Sequence, residues 1–366
     1  MHDFLFVLEQ TLGHVAHTRN LERVLASEPD LKARCLHLEF DTCGWKSLPG
    51  LRNWSFRASW MARRWMGRQV TERRPDAIFI HTQVASLLAP AIMRRVPTIV
   101  SLDATPANFD VVGAAYSHRT SNPLLESAKR AINRRSMNAA AGLVTWCEWA
   151  RDSLTRDYGV PKDKVRVIAP GVDLELFKPS PRRSDGRVRL LFVGGNLERK
   201  GGLELLSALS LVHKNVELDL VTTSPMASIP PGVTVRVHDG LKPQSAGLVR
   251  LFREADIFVM PTRGDAFPQV IAEAMACRLP VISTPVGAIR EVVLDGQTGL
   301  LVAPRSPGDL AEAISALAGD RHRREAMGHA GFELARRKHD MARNNREILA
   351  LLREVAARPL REAAAV

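Results

Sequence analysis

A chain of 366 residues with 45% hydrophobic and 25% charged side chains suits two globular domains of roughly 100–200 residues each. No apolar stretch approaches the ~20 residues that span a bilayer, and the opening "MHDFLFVLEQ" lacks the basic flank of an export signal, so a cytoplasmic protein is expected. The formal charge of +12 suits an anionic partner, yet zinc-finger spacing, RNP-like aromatic runs and helix-turn-helix patterns are missing, which sets nucleic acid aside.

Short β-rich runs alternate with longer helical stretches, the pattern of parallel sheets with crossover helices. Strands are predicted at 4–8, 77–80, 97–101, 142–145 and 165–168, then at 188–193, 216–221, 233–237, 256–260, 281–283 and 300–302. Helices fill the gaps, among them 121–140, 202–213, 269–277, 309–318, 322–337 and a last one at about 341–358 that could belong to either half. The segment 53–74, wound as a helix, aligns Trp54, Ala58, Met61 and Trp65, with Arg57, Arg64 and Arg68 alongside. That stripe can pack into the first domain or lie on an anionic membrane. Cys35, Cys43, Cys147 and Cys277 show no metal-ligand spacing and read as buried free thiols. The Pro-, Gly- and charge-rich stretch at 169–186 reads as a linker. The expected domains are 1–170, a linker 171–187, 188–340, and a helical segment 341–366 that packs back on the first domain. Two doubly wound domains facing each other across a cleft are the expected arrangement, with ligands beyond the strand C-termini.

Two loops carry the chemistry. In "LLFVGGNLERKGGLELLSAL" (190–209), a strand exits through Gly194 and Gly195, and a helix begins after Arg199, Lys200, Gly201 and Gly202. Glycine is costly in regular structure, so this spacing predicts unusual backbone angles or room for something bulky. Two cations beside a helix N-terminus favour a phosphate; the plainer reading is a tight turn with a solvated Arg-Lys pair.

In "DIFVMPTRGDAFPQVIAEAMACRLPVIST" (256–284), a strand ends at Met260, a loop carries Asp265, Pro268 opens a helix, and Glu273 lies just over one turn inside it. A carboxylate so placed can accept two hydrogen bonds from a vicinal diol such as a ribose. The plainer reading makes Glu273 a dipole complement and Asp265 an ordinary turn residue.

Taken together, these stretches resemble the retaining glycosyltransferases of family 4, of GT-B architecture. "FVGGNLERKGG" resembles the family's phosphate loop and "DAFPQVIAEAMACRLPVI" its pair of acids separated by seven residues. "VIAPGVDLELFKP" resembles its interdomain connection and "DGQTGLLV" its late hairpin. The resemblance implies that Lys200, with Arg199, contacts the donor diphosphate, that Glu273 holds the ribose, and that Asp265 lies near the transferred sugar. It implies donor contacts from Gly195 and from backbone N–H groups at Ala266, Phe267 and Pro268, and places Gly13 and His14 at the cleft. Three positions depart from the family's pattern: Asn196 where many relatives carry Arg, Asp103 nearest the place of a His, and a single glycine, Gly13, where others have two. His81 also ends a strand on the presumed cleft side and joins His14 and Asp103 as an acceptor- or sugar-side candidate; His118 is a weaker one.

The implied reaction moves a sugar from a nucleoside diphosphate to a hydroxyl of a glycan, lipid-linked or small-molecule acceptor, with retention. It requires no metal and no cofactor, and Asp265 orients the sugar or stabilises positive charge. The rival readings are another GT-B enzyme, such as an epimerase or phosphorylase, and a non-catalytic sugar-nucleotide-binding protein.

Overall fold

Most strands of the chain are followed by a helix that returns to start the next strand, a connectivity that goes with parallel pairing. The computed structural model describes residues 1–11, 13–39, 53–116, 122–181, 186–225 and 229–358, so Cys43 and His118 lie outside the described residues. Two units emerge: Met1–Ala107 with Thr120–Pro170 and Ala342–Val366, and Asn108–Arg119 with Gly171–Met341.

In the first unit β1 (His2–Gln10), β2 (Leu31–Glu39), β3 (Ala77–His81), β4 (Thr98–Leu102), β5 (Gly142–Thr145) and β6 (Val165–Val167) form a parallel sheet in the order β2-β1-β3-β4-β5-β6. Successive residues of β1 face opposite sides, and both sides are covered. Leu5 and Val7 pack with Ala58, Ala62 and Met66 of the helix Trp54–Glu72. Phe4, Phe6 and Leu8 pack with Leu21 of the helix His14–Ala26 and with Ile348, Leu349 and Leu352 of the helix Met341–Ala357. This double burial explains why β1 reads as an unbroken apolar run.

In the second unit β7 (Val188–Val193), β8 (Val216–Val221), β9 (Thr234–His238), β10 (Ile257–Met260), β11 (Val281–Ser283) and β12 (Gly299–Leu301) follow the order β12-β11-β10-β7-β8-β9. The order reverses between β1 and β3 in one sheet and between β7 and β10 in the other. In doubly wound sheets, ligands bind beyond the strand C-termini at such a switch point.

Three expectations need correction. The strand β2 was not predicted: "LKARCLHLE" mixes apolar with charged residues because it is an edge strand, paired to β1 alone, with only Leu38 fully buried. The presumed linker is stitched to the second unit at its start: Val172 N–H donates to the His339 carbonyl at 2.7 Å, Met341 N–H returns a bond to Val172, and Phe177 packs edge-on against Phe252. Residues 108–116, expected in the first domain, belong to the second unit. Of the two placements open to the stripe on 53–74, Trp54, Ala58 and Trp65 take the inward one: Ala58 and Arg57 are buried, and Trp54 and Trp65 pack against the core, while Met61 stays exposed.

All six tryptophans lie between Trp45 and Trp149, so tryptophan fluorescence reports the first unit. Leu349→Ala, which leaves a hole beneath β1, should destabilise the fluorescence-detected transition by about 2–5 kcal/mol. An unchanged midpoint would mean that the last helix does not complete this core.

Candidate functional site

The β7 loop is held before any ligand arrives. Gly194 N–H donates to Val221, and Leu197 N–H donates to the Ser224 hydroxyl at 3.0 Å. The Gly195 carbonyl accepts from the hydroxyls of Thr223 and Ser224, both at 3.0 Å. Asn196, the departure from the family pattern, accepts the Arg199 N–H on its side-chain oxygen at 2.8 Å and the Lys200 N–H on its carbonyl at 3.1 Å. It shapes the turn that presents both bases.

The glycines serve this turn more than they serve a phosphate. Gly201 has φ 79°, and a Cβ there would stand 2.0 Å from the Pro261 carbonyl oxygen; at Gly202 it would stand 2.2 Å from Leu197. A Cβ on Gly194 would crowd the Lys200 side chain at 2.9 Å, whereas Gly195 meets only Thr223 at 3.4 Å. Phosphate access at Gly201 is therefore replaced by close packing of the β7 loop on the β10 loop. Gly195 alone of the four keeps space beside it.

The β10 loop is fastened to the same turn. Arg263 N–H (2.8 Å) and the Thr262 hydroxyl (3.1 Å) both donate to the Arg199 carbonyl. The Arg263 guanidinium spans Glu204 at 2.6 Å and Glu198 at 2.7 Å. Lys200 Nζ donates to the Asp265 carboxylate, and Arg199 Nη1 stands 3.7 Å from the same oxygen. Arg199 also donates to the Gly264 carbonyl and the Tyr116 hydroxyl, both at 3.0 Å, and its guanidinium lies 4.3 Å from the centre of the Tyr116 ring. The two bases and the first acid thus form one cluster. Tyr116 completes it, and sequence reasoning missed it because the segment 108–116 had been assigned to the other domain.

The helix Gln269–Ala276 then carries Glu273, which is 6% exposed. Its carboxylate has no hydrogen-bond or ion-pair partner among the described residues, and burial pushes its pKa up to about 7. Of the three residues before this helix, only Ala266 and Phe267 can offer a backbone N–H. Proline has none, so the N–H contact expected at Pro268 is withdrawn. Pro268 instead sets the extended backbone that precedes the first turn.

In the first unit, the ends of β1 and β3 bring His14 and His81 together, with Nδ1 of one 2.9 Å from Nε2 of the other. Trp146 stacks on His81 at 5.2 Å and 15°, and the His17 ring lies 4.8 Å from it. His17 is one helical turn after His14, so their i,i+3 spacing in "GHVAH" was the available signal for a residue not singled out. Burial lowers the pKa of His17 to about 3 and that of His81 well below the usual range. The Glu9 carboxylate accepts from the hydroxyls of Thr11 and Thr82. Burial raises the Asp103 pKa, opposed in part by His14. Gly13 precedes the His14 helix with φ −68°, so any residue could adopt its backbone conformation.

Residues 20–176 match the model of Glycosyltransferase Family 4, and residues 187–320 match that of Glycosyl transferases group 1. The chain belongs to this glycosyltransferase family. D-inositol 3-phosphate glycosyltransferases of Paenarthrobacter aurescens (strain TC1) and Thermomonospora curvata are each 31% identical to it, over 238 and 245 residues. These matches take in 57% and 58% of this chain and 58% and 57% of the relatives, so the chain spans somewhat over half their length. Solved structures with the same fold include a sucrose-phosphate synthase from Thermosynechococcus elongatus (TM-score 0.77, 17% identity, 98% of this chain and 100% of that one). Another is the Anabaena protein HepE in complex with UDP and glucose (TM-score 0.70, 16% identity, 97% and 100%). The fold is GT-B, with two Rossmann-like domains.

Two pH effects follow from the buried groups. Glu273 has a folded pKa of about 7 against an ordinary 4.5, so its contribution to stability falls as pH rises through that window. Without ligand, Glu273→Gln should be more stable than the parent at pH 8, by about 3 kcal/mol, and equal to it below pH ~4.5. Chemical denaturation at both pH values checks this. His17 has its pKa depressed to about 3, so its contribution is complete above about 6.5 and declines as the pH falls. His17→Leu should flatten the acid-side loss of tryptophan-detected stability, which each such histidine steepens by about 1.4 kcal/mol per pH unit. An unaltered slope would show that His17 is not held neutral.

Proposed function

We propose that the protein is a retaining glycosyltransferase that moves a sugar from a nucleoside-diphosphate donor to a hydroxyl of a glycan, lipid-linked or small-molecule acceptor. The reading rests above all on Glu273, a buried carboxylate without a partner among the described residues, beyond the switch point of a Rossmann-like sheet. An uncompensated buried charge is costly, and a vicinal diol would supply the two donors it lacks. Lys200, beside the start of the helix Gly202–Leu209, is the cation proposed to take the diphosphate. HepE, solved with UDP and glucose, supports a donor of this class, and the D-inositol 3-phosphate glycosyltransferases support glycosyl transfer.

In the mechanism, the bond from the anomeric carbon to the diphosphate oxygen breaks as the leaving group gains negative charge. Lys200 strengthens its contact with that growing charge, which lowers the barrier without a metal ion. Lys200 is held by Asp265 before the donor arrives; the diphosphate displaces this carboxylate, which turns to the sugar as positive charge develops there. A diphosphate oxygen receives the acceptor's proton, so no protein base is required. Arg199 stays with Gly264 and Tyr116 and holds the β10 loop in register. The His14–His81 pair and Asp103 take the acceptor side, in a cytoplasmic setting.

Titration calorimetry and initial rates with UDP-, GDP- and ADP-sugars test the scheme. Glu273→Gln should weaken donor binding by ~2–4 kcal/mol, roughly 30- to 1,000-fold. The parent's donor affinity should rise with pH through about 7 as Glu273 ionises, and the variant's should not. Lys200→Ala should lower turnover more than affinity for the intact donor. Asp265→Asn should bind free nucleoside diphosphate more tightly, having released Lys200, and yet turn over more slowly. Parent-like donor affinity in Glu273→Gln would remove the ribose role, and donor binding without turnover on any acceptor would favour a binding protein.

A further inference from the structure

The helix Trp54–Glu72 buries Ala58, Ala62 and Met66 and leaves an outer face exposed. Its first half exposes three large apolar side chains: Phe56 (43%), Trp60 (37%) and Met61 (38%). Its second half exposes Arg63, Arg64 and Arg68. Phe56 and Trp60 are four residues apart, and Arg63 and Arg64 follow one turn later, so apolar and basic groups share a face over ~18 Å of helix.

Beside this face the helix Pro90–Arg95 bounds a groove of about 640 Å³. Trp60, Arg63, Arg64 and Arg95 line it, with Leu88 and Ile92 as its apolar wall, and no carboxylate is among the lining residues. The Arg64 guanidinium lies 5.5 Å from the centre of the Trp60 ring. Among the described residues Arg63, Arg64, Arg68, Arg94 and Arg95 form no ion pair, whereas Arg189, Arg236 and Arg263 in the second unit are each bound to carboxylates. Positive charge is concentrated here without internal compensation, next to apolar side chains that water solvates poorly.

We propose that this groove and outer face dock on an anionic membrane surface, with the lipid phosphate between Arg63, Arg64 and Arg95. Trp60 then enters the interface, with Phe56 and Met61 flanking it around the helix. A nucleic acid would satisfy the arginines but leave Phe56 and Met61 without a role. Of the stripe read in the sequence, Trp54, Ala58 and Trp65 turn to the core, whereas Met61, Arg64 and Arg68 belong to this outer face, which does not depend on the proposed transfer chemistry.

The test uses the full chain with vesicles of phosphatidylcholine alone or with 30% phosphatidylglycerol. Co-sedimentation should occur with the anionic vesicles only and reverse in high salt. Bromine-labelled acyl chains should quench tryptophan fluorescence of the unaltered protein on anionic vesicles, with less quenching in Trp60→Phe. The triple change Arg63→Gln, Arg64→Gln, Arg95→Gln should lower vesicle partitioning at least tenfold with an unchanged thermal midpoint, and Phe56→Ser should lower it several-fold. Equal recovery with neutral and anionic vesicles, absence of quenching, or undiminished partitioning of the triple variant would overturn the proposal. Tighter binding to single-stranded RNA than to anionic vesicles would assign the face to nucleic acid instead.

Discussion

One carbonyl oxygen, that of Arg199, accepts from both Arg263 N–H and the Thr262 hydroxyl, and the candidate donor site is built on that junction. It joins the loop after β7 to the loop after β10, the two strands that flank the switch point of their sheet. Gly201 is what allows the junction, since any Cβ there would occupy the place of the Pro261 carbonyl. Once the loops are joined, Lys200 reaches Asp265, Arg199 reaches Gly264 and Tyr116, and the helix bearing Glu273 starts from a fixed point. Rigid placement of charged groups matters because a preorganised cation need not reorient as charge develops on a leaving group.

Two glutamates of the second unit show how environment divides structure from function. Glu217 and Glu273 are both more than nine-tenths buried. Glu217 accepts from Arg236 and Arg189, which hold its carboxyl down at about 2, well inside the ionised range. Glu273 has no such partner, and desolvation alone holds it up at about 7. The first is a satisfied ion network pinning edge strand β9 to β8. The second is a group whose ionised form stays costly until something brings hydrogen-bond donors to it, and that asymmetry is the physical mark of a site awaiting a ligand.

Much of this was legible in the sequence where both faces of an element are covered. The cores of β1, β7 and β10 (Phe4–Leu8, Leu190–Val193 and Ile257–Met260) read as continuous apolar runs, and the loops after β7 and β10 announce themselves by glycines and charge. Legibility failed where one-dimensional pattern does not carry the information. β2 has a single strand neighbour, so its charged residues interrupt the pattern. Tyr116 reaches Arg199 only because a segment from the first half of the chain folds with the second unit. The glycines were legible as special, but not their reason: three of four admit neighbouring protein atoms. His17 was hidden for the opposite cause, since a buried neutral histidine leaves no mark on a sequence except its spacing from His14.

The excess of positive charge is not concentrated at the candidate donor loop. A basic chain with two adjacent cations in a phosphate-like loop invites the view that its net charge serves the anionic donor. In the folded protein, however, Lys200 is matched by Asp265, and Arg263 is matched by Glu198 and Glu204. The region is close to locally neutral before a ligand arrives. A matched site gains its selectivity from exchange of partners, in which an anion must outcompete a carboxylate already in place, and not from long-range attraction. Long-range attraction falls to arginines that form no ion pair among the described residues, such as those on the outer face of Trp54–Glu72, where the field extends into solvent and is screened within about 8–10 Å. The net charge of +12 and the donor loop are therefore separate features of one sequence, shaped by different physical demands.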